Sequence, residues 1–391
     1  MTLRFLTSGE SHGPCLLAIV EGLPAGLPLA ESDLAADLAR RQGGYGRGAR
    51  MTKIEQDQAE ILGGVANGET TGGPLALRIE NRDWPNWKDR KVKPITSARP
   101  GHADWAGGIK FGQPDFRVIL ERASARETAA RVAVGGVCKR LLGIFGTRVN
   151  GQVTRIGSVV AQAAAELTPE VIDRIESSPF RCADPAAEPL MKSLIDEAKK
   201  NGDTLGGVFE VRASGVVPGL GSYTQWDRKL DGRLAQAVMS IHAIKGVEVG
   251  DGFLSAERFG TQAHDAFEIE GNGAIRRATN RAGGTEGGVT NGQPVVVRAA
   301  MKPISSTISP QRTVDFATGQ PVPTQDQRSD TCAVPAASVV GEAMVAIVLA
   351  EAFLEKFGGD SLRDVRASYD AYLAASEYFL RVGENRDLGP L

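Results

Sequence analysis

Cysteine and histidine are scarce in this sequence. Its 391 residues include four histidines and four cysteines, which are Cys15, Cys138, Cys182 and Cys332. The cysteines are widely spaced and form no CxxC pair, which excludes the dense disulfide framework of a small secreted domain. There is no HExxH motif and no cluster with metal-ligand spacing. We therefore expect reduced thiols, a cytoplasmic protein and no metal site.

Neither sign of charge is in excess, because 45 Lys and Arg face 47 Asp and Glu, for a net charge of -2. No overall field attracts nucleic acid or an anionic membrane, so any anion site must be local. The N-terminal residues include Glu10 and His12 where a signal peptide needs an apolar run, and we interpret them as mature protein. The longest apolar stretch, 334–353, is interrupted by Glu342 and Glu351, which indicates a core helix rather than a membrane span.

The nucleotide-binding motifs GxGxxG and GxxxxGK[ST] are absent, so Rossmann and P-loop folds lack their phosphate cradles. The segment GESHG at 9–13 does match the GxSxG elbow of serine hydrolases. Such an elbow needs a buried strand and an oxyanion loop before it and a helix after it. Only eight residues precede Gly9, and Pro14 follows the segment, which disfavours a hydrolase with Ser11 as nucleophile.

Two pairs of segments repeat in the same order along the chain. EGLPAGLP at 21–28 is answered by SGVVPGLG at 214–221, and each precedes a leucine-rich helical pattern. GGPLALR at 72–78 pairs with GQPVVVR at 292–298, where a turn leads into a short strand. Chance recurrence of Gly-Pro turns is the alternative for either match alone. Together they favour an internal pseudo-twofold duplication, with halves at approximately 1–150 and 205–391. No Pro/Ser-rich linker separates the halves, so we expect one domain over 1–391.

Helical patterns account for most of the remaining sequence. A Thr-Pro-Glu helix start at 168–170 and a Lys-Lys-Asn-Gly helix end at 199–202 indicate a peripheral helical insertion over approximately 161–201. Two further helices are predicted at 335–357 and 361–380. Helices and short strands mix without the regular alternation of a parallel sheet, which favours the α+β class.

An arginine- and glycine-rich segment, RRQGGYGRGAR, spans 40–50. RNA-binding RGG segments form repeats in disordered tails, whereas this one is single and lies between a predicted helix and a predicted strand, Met51 to Gln56. Guanidinium groups bind phosphate and carboxylate through paired hydrogen bonds, and glycine allows close backbone approach. The segment therefore predicts a site for a small polyanion, with Arg41, Arg47 and Arg50 as candidates. A solvated basic face is the alternative.

Two glycine-bounded loops each place a histidine beside polar neighbours. His12 follows Glu10 and Ser11, and His102 precedes Asp104 in RPGHAD at 99–104. Imidazole titrates near neutrality, so such loops can present a general acid or base. We interpret the other two histidines as structural, because one lies in a predicted helical run over 235–244 and the other lies among turn residues.

Three further polar clusters are ERASARET at 121–128, MKPISST at 301–307 and RSDTC at 328–332. The first is predicted to open a helix, whose N-terminus is a natural anion site. With the arginine segment and the histidine loops, they indicate an enzyme that acts on a small anion.

Taken together, these segments resemble the chorismate synthases. The resemblance is carried by GESHG, RRQGGYGRGARM, RPGHAD, ERASARET, QWDRKLDGRLAQAV, EGGVTNGQP, MKPI and RSDTCAVPAA, and it weakens only between residues 150 and 200. It implies a sandwich of antiparallel sheets around helices, normally assembled as a homotetramer. It also implies 1,4-anti elimination of phosphate from 5-enolpyruvylshikimate 3-phosphate to give chorismate, with reduced FMN required and no net oxidation.

The resemblance also implies catalytic roles for four residues. His12 would protonate the leaving phosphate, and His102 would protonate or hold the reduced flavin. Asp330 with Ser11 would relay the proton lost from the ring. Loss of a dianion from carbon needs its charge neutralised as it develops, which suits these roles.

The remaining implied residues are binding residues. Flavin contact is implied for Arg122, Ala123, Ser124, Gln262, Ala263, Gly287, Lys302, Pro303, Ile304, Ser305, Ser306 and Arg328, and substrate contact for Arg50, Arg99 and Arg126. Arg41 and Arg47 are the positions linked to NADPH, but bacterial members use flavin reduced elsewhere, by an external reductase. We therefore favour a substrate role for both. The family's commoner Lys-Pro-Ile-x-Thr reads Lys-Pro-Ile-Ser-Ser at 302–306, which retains a hydroxyl.

Overall fold

A computed structural model describes residues 2–48, 50, 54–324 and 330–380. The helices are α1 Glu31–Gln42, α2 Asp104–Phe111, α3 Phe116–Arg122, α4 Thr128–Ile144, α5 Pro169–Ser177, α6 Glu188–Lys200, α7 Leu230–Met239, α8 Gly260–Ala263, α9 Val334–Phe357 and α10 Leu362–Leu380. The strands are β1 Arg4–Ser8, β2 Cys15–Glu21, β3 Ala59–Gly63, β4 Val65–Ala66, β5 Glu69–Thr70, β6 Leu75–Glu80, β7 Arg148–Ile156, β8 Val159–Val160, β9 Gly207–Ser214, β10 Ile244–Val249, β11 Phe267–Ile269, β12 Ile275–Arg277, β13 Thr285–Glu286, β14 Val289–Thr290, β15 Val295–Met301, β16 Arg312–Asp315 and β17 Gln320–Pro323. This mixture of helices and antiparallel strands fits the predicted α+β class.

Two larger antiparallel sheets have the same strand connectivity. The first has the order β1-β2-β6-β3, and the second has the order β7-β9-β15-β10 with β8 added beyond β7. A short hairpin, β4–β5 or β13–β14, precedes the third strand of each order. Helix α1 follows β2 in the chain, and α7 follows β9 at the equivalent place in the second half.

The two repeated glycine turns are held by the same hydrogen bonds. In the first, the Thr70 hydroxyl accepts from Leu27 N (3.0 Å) and donates to Pro24 O (2.6 Å). In the second, the Thr290 hydroxyl accepts from Leu220 N (2.8 Å) and donates to the carbonyl of residue 217 (2.7 Å). A threonine at the end of each short hairpin thus satisfies buried backbone groups of the turn.

Helices α4 and α9 form the centre of the molecule. Helix α4 packs against β2 and β6 of the first sheet, α9 packs against β7 and β9 of the second, and the two helices pack on each other. At their contact a Cβ on Gly135 would lie 2.3 Å from the Cβ of Ala343, so only glycine permits this approach. Apolar side chains from both sheets and both helices merge into one core.

Helix α9 is long and apolar enough to cross a membrane by composition, but 94% of its most apolar window is buried inside the protein. The prediction of a core helix is therefore confirmed. Its Glu342 is fully buried and binds three cations, Arg40 (2.8 Å), Lys139 (2.6 Å) and Arg181 (2.7 Å). These cations hold the pKa of Glu342 at about 2 despite the opposing effect of burial.

The predicted insertion contains α5 and α6. The hydroxyl of Thr168 caps α5 by accepting from Val171 N (3.4 Å), and Pro169 occupies the first turn, as the Thr-Pro-Glu start predicts. Glu176 at the end of α5 binds Arg40 of α1 through both carboxylate oxygens, at 2.7 and 2.8 Å. The insertion thus reaches the arginine-rich segment.

Two local predictions were wrong. The strand expected over Met51–Gln56 begins only at Ala59 in the described chain, and residues 51–53 lie outside it. The helical run expected over 235–244 ends at Met239, which leaves His242 in the turn before β10. A left-handed backbone at Ala243, with φ 66°, separates the helix from the strand.

Candidate active site

The His12 loop connects the antiparallel strands β1 and β2. At its start Gly9 has φ 107°, and a Cβ there would lie 2.4 Å from the carbonyl oxygen of Cys15. Any other residue would force the strands apart. The amide of Asn81 closes the loop by donating to Glu10 O (3.0 Å) and Gly13 O (2.8 Å).

His12 is enclosed on three sides. Its ring packs on Trp87 with centroids 4.2 Å apart, Nδ1 lies 2.9 Å from Ser11 Oγ, and Nε2 lies 3.4 Å from Arg50 Nη1. Burial and then the Arg50 charge lower the pKa of His12 to about 4. The imidazole is therefore neutral at pH 7. A proton on Nδ1 leaves Nε2 as the acceptor facing Arg50.

A chain of alternating buried charges extends from Arg50. Its guanidinium binds Glu55 (2.9 Å), and Arg126 lies 3.5 Å from the other oxygen of Glu55. Arg126 also binds Asp57, which in turn accepts from Arg41 (3.2 Å). The side chains of both acids are fully buried. Asp83 also lies 4.0 Å from Arg50, so three arginines face three carboxylates and the chain is balanced in charge.

The arginine-rich segment therefore faces inward. Arg41 is 3% exposed and donates to Thr128 Oγ1 (3.0 Å) and Ala125 O (2.8 Å). Arg47 binds the carboxylate of Asp330, whose other oxygen accepts from Gly48 N (2.6 Å). Guanidinium groups committed in this way are not displayed for a nucleic acid backbone, so the RNA-binding interpretation loses its support.

The His102 loop is organised by Asp104. This carboxylate is 1% exposed and accepts from Arg99 Nε (2.9 Å) and His102 Nδ1 (2.5 Å). The hydrogen bond from His102 and the Arg99 guanidinium hold the pKa of Asp104 far below its ordinary value, although burial opposes the shift. Asp104 thus fixes the ring and stabilises a charged imidazole when one forms.

The two halves of the chain meet at this loop. Arg99 Nη1 donates to Ser306 Oγ (2.9 Å), and Lys302 Nζ donates to Gly101 O (2.9 Å). Ile304 O accepts from Thr204 (2.7 Å), which anchors the 302–306 segment from behind. Arg99, predicted to bind the substrate, therefore lies beside Lys302 and Ser306, which are predicted to bind flavin.

The segment Arg122–Ser124 lies against the first sheet. Arg122 donates to the carbonyl and hydroxyl oxygens of Thr7, each at 3.1 Å. Ser124 caps the next helical turn by accepting from Arg126 N (3.3 Å). Ser124, an implied flavin residue, is thus hydrogen-bonded to the backbone of Arg126, an implied substrate residue of the buried charge chain.

Other predicted site residues are not joined to these loops. Gln262 and Ala263 lie in α8, and Gly287 lies in the turn between β13 and β14 with φ 59°. Among the described contacts none links them to either histidine loop. Ser11 pairs with His12 whereas Asp330 pairs with Arg47, so these two are not directly bonded either. Arg328 lies outside the described residues.

The hydrolase alternative also fails on local structure. Ser11 is 2% exposed and sits between two antiparallel strands, whereas a nucleophile elbow leads from a strand into a helix. Its hydroxyl pairs with the adjacent His12. The hydroxyl is therefore not presented as an exposed nucleophile.

Several site residues were missed from the sequence. They are Glu55, Asp57, Asn81, Trp87 and Glu121, each bonded to, paired with or packed on a predicted site residue. One signal was available, because acids at positions 55 and 57 follow the arginine segment with the spacing of one face of an extended chain.

The comparisons with known proteins identify the family. The family model described as chorismate synthase matches residues 3–354. The chorismate synthase of Pelobacter propionicus is 55% identical over 386 residues, covering 95% of this chain and 98% of that protein. That of Aquifex aeolicus is 54% identical over 389 residues, covering 95% and 97%. A crystal structure of chorismate synthase superposes with a TM-score of 0.80 at 47% identity, covering 97% of this chain and 99% of the other. This chain therefore belongs to the chorismate synthase family of lyases.

Proposed function

We propose that the chain eliminates phosphate from 5-enolpyruvylshikimate 3-phosphate in the 1,4-anti sense to give chorismate, in the shikimate pathway. The observation that carries the proposal is a neutral His12 beside Arg50, at the end of a buried chain of paired arginines and carboxylates. A substrate with one phosphate and two carboxylates suits guanidinium groups, which bind both kinds of anion through paired hydrogen bonds. In the reaction the carbon–oxygen bond to phosphate breaks, a ring proton is lost, and the double bonds rearrange without net oxidation.

Reduced FMN is the cofactor that the family implies, and this chain has residues that fit its phosphate and polar groups. Lys302 and Arg122 supply cations, and Ser124 and Ser306 supply hydroxyls. When bound, reduced FMN lends electron density to the substrate as phosphate departs. We propose an external flavin reductase as its source, and NADPH as the reductant that this reductase uses.

His12 is proposed to act as a general acid that becomes protonated when the substrate binds. Burial and Arg50 keep the imidazole neutral in the free enzyme. A phosphate dianion beside Nε2 favours the charged ring and raises the pKa of His12 toward neutrality. The proton taken up on binding is then in place to neutralise the leaving phosphate. Ser11 holds Nδ1 and fixes the direction of transfer.

His102 is proposed to hold or protonate the reduced flavin, because Asp104 fixes its ring and stabilises its charged form. Asp330, supported by Arg47 and Gly48, is proposed to receive the ring proton, with Ser11 completing the relay. No direct bond joins these last two among the described contacts, so the transfer requires the substrate or water between them.

Five arginines are proposed to bind or support the substrate. Arg50 and Arg99 are proposed to bind the substrate directly. Arg126 is proposed to support the substrate site through Glu55 and Asp57, because its donors face the protein. Arg47 is proposed for substrate rather than NADPH. Arg41 is proposed to act through Asp57 and Arg126, because its donors face the protein.

We propose a cytoplasmic homotetramer of single-domain chains. The common connectivity of the two sheets and the matching threonine turns support an internal duplication. The position of α4 and α9 between the sheets supports the proposed sandwich.

An anaerobic assay with chemically reduced FMN tests the proposal. Chorismate absorbance and released phosphate should rise together in equal amounts. Oxidised FMN under the same conditions is the control and should give neither product. Folded protein that shows no turnover with reduced FMN would contradict the proposed function.

A further inference from the structure

Glu121, near the end of α3, is held against the His12 loop. Its backbone carbonyl accepts from Ser11 N (3.1 Å), and the next residue, Arg122, donates to Thr7 of β1 (3.1 Å). The side chain of Glu121 is 17% exposed, and its carboxylate lies 4.0 Å from Nδ1 of His12. The two hydrogen bonds fix the backbone on either side, so the fold itself places this carboxylate beside the imidazole.

The carboxylate of Glu121 is available for a new hydrogen bond. Among the described residues its close polar contact is His12, and it forms no hydrogen bond. Asp83, another acid near the ring, already accepts from Trp87 and Asn86 at 2.9 Å each and lies 4.0 Å from Arg50. The charge chain behind Arg50 is balanced in the same way. An additional positive charge on the ring is therefore left to Glu121.

The charges around the ring explain the 4.0 Å separation. Burial raises the pKa of Glu121 and lowers that of His12 to about 4. Arg50 and Arg117 lower the pKa of His12 further, whereas Asp83 raises it. The ring is therefore neutral in the free enzyme and attracts the carboxylate weakly.

Protonation of His12 changes this balance. The proposed function requires a proton on Nε2, which gives the ring a positive charge and two N–H donors. Nδ1 then donates to Ser11 Oγ (2.9 Å), which is a neutral acceptor, or to Glu121. A charged donor binds a carboxylate more strongly than it binds a hydroxyl. An approach of about 1 Å brings Glu121 within hydrogen-bond distance of Nδ1.

We propose that Glu121 binds Nδ1 of protonated His12 and is a positioning residue that stabilises the charged ring during elimination of phosphate. The inference rests on the proposed function, because the substrate phosphate is the group that favours the charged ring. In the step the Nε2–H bond breaks and its proton goes to the leaving phosphate, while Nδ1 keeps its proton. Glu121 thus acts through His12 and does not touch the substrate.

The pH dependence of turnover in Glu121→Gln tests the inference. An opposite charge within about 4–6 Å moves a pKa by about one to three pH units, so its removal should move the alkaline limb of kcat to lower pH by at least one unit. At saturating substrate and reduced FMN, we expect turnover within threefold of wild type at pH 6 and at least tenfold lower at pH 8.5. Glu121→Asp keeps the charge and should lie between the two. Asp89→Asn, which removes an 87% exposed carboxylate, is the control and should keep the wild-type profile.

Proton uptake provides a second measurement that does not depend on turnover. Calorimetric titration in two buffers of different ionisation enthalpy counts the protons taken up when 5-enolpyruvylshikimate 3-phosphate binds in the presence of oxidised FMN. At pH 7.5 the wild type should take up more protons than Glu121→Gln. A charged ring that Glu121 does not stabilise would give equal uptake in the two proteins.

An equal loss of turnover at every pH in Glu121→Gln, with wild-type proton uptake, would overturn the inference and leave Glu121 a packing residue. A profile identical to that of the wild type would overturn it too. If Glu121→Gln does not fold, the displacement of the alkaline limb in Glu121→Asp decides. Wild-type protein without turnover contradicts the proposed function, whereas normal wild-type turnover with an unchanged profile in Glu121→Gln contradicts only this inference.

Discussion

At the scale of the residue, burial sets the chemistry of His12. An exposed imidazole would be partly protonated at pH 7, whereas this ring is neutral because it is largely buried and Arg50 lies 3.4 Å from Nε2. The proton required for phosphate departure must then arrive with the substrate. Neither Ser11 nor Trp87 carries a charge, so both position the ring, and Ser11 is in addition proposed to pass a proton.

We predict that His12→Ala and His102→Ala each lower turnover by about 10²–10⁴-fold, the usual contribution of a general acid or base. His12 is not among the implied flavin residues, so in His12→Ala the FMN affinity should stay within a few fold of wild type. Single-turnover rates and FMN titration on the same preparations measure both quantities. A large loss of flavin binding in His12→Ala would contradict its assigned role.

Glu342 provides a second residue-scale prediction, for stability. Three buried or half-buried cations depend on this carboxylate, and Gly151 N also donates to it (2.8 Å). Glu342→Gln removes the one fully buried carboxylate of this cluster and leaves the three cations with Asp37 and Glu176 alone. We expect a loss of about 3–5 kcal/mol in the free energy of unfolding. Urea denaturation measures it.

The matched control for Glu342 lies on the same helix. Glu351 is 31% exposed and pairs with Arg233 at the surface (3.0 Å), so Glu351→Gln should cost less than about 1 kcal/mol. Equal losses in the two variants would show that the buried charge cluster carries no special weight.

At the scale of the element, helix α6 of the insertion holds the arginine segment. Tyr45 donates its hydroxyl to Asp196 (2.6 Å), and Lys192 binds the same acid (2.7 Å). Tyr45 N also donates to Pro179 O (2.7 Å), and Thr331 N donates to Gly46 O (2.8 Å). The insertion and the segment around Thr331 thus hold the backbone on either side of Arg47 in place.

Asp196→Asn should therefore raise the KM for substrate by about threefold to tenfold and leave kcat within twofold, because a hydrogen bond contributes about 0.5–1.5 kcal/mol. Steady-state kinetics at saturating reduced FMN measures the split. Glu197→Gln, the next residue on the exposed face of α6, is the control and should change neither constant. A fall in kcat alone in Asp196→Asn would indicate a different role.

At the scale of the whole molecule, buried neutral histidine makes stability depend on pH. The pKa of His12 is about 4 in the folded protein, against 6.5 for the ordinary imidazole of the unfolded chain. Between these values the unfolded chain binds a proton that the folded chain does not, so stability falls as pH falls from 6.5 to 4. This contribution is fully present only above pH 6.5.

We predict that the free energy of unfolding of the wild type falls by roughly 1–2 kcal/mol more than that of His12→Asn when the pH is lowered from 7 to 5. The linkage relation requires a difference of this size for these pKa values. Urea unfolding at both pH values and constant ionic strength gives the difference. The same loss in both proteins would mean that His12 titrates normally in the folded state.

The sequence by itself determined much of this protein. Strong periodicity and caps predicted α1, α9 and α10, and turn signals predicted β6 and β15, because these features depend on near neighbours in the chain. The long motifs determined the family. The histidine loops were located for the same reason, since their glycines and polar neighbours are contiguous.

Only the tertiary structure decided which charges meet. Glu55 binds Arg126 across 71 residues, and Arg99 binds Ser306 across 207, separations at which a single sequence carries no spacing signal. The end of α7 before His242 was likewise set by the contact of Ala243 with Lys302, a tertiary constraint that overrides helix propensity. The candidate catalytic and binding residues could be identified from contiguous motifs. Their charge pairing, burial and protonation state depend on packing between distant parts of the chain.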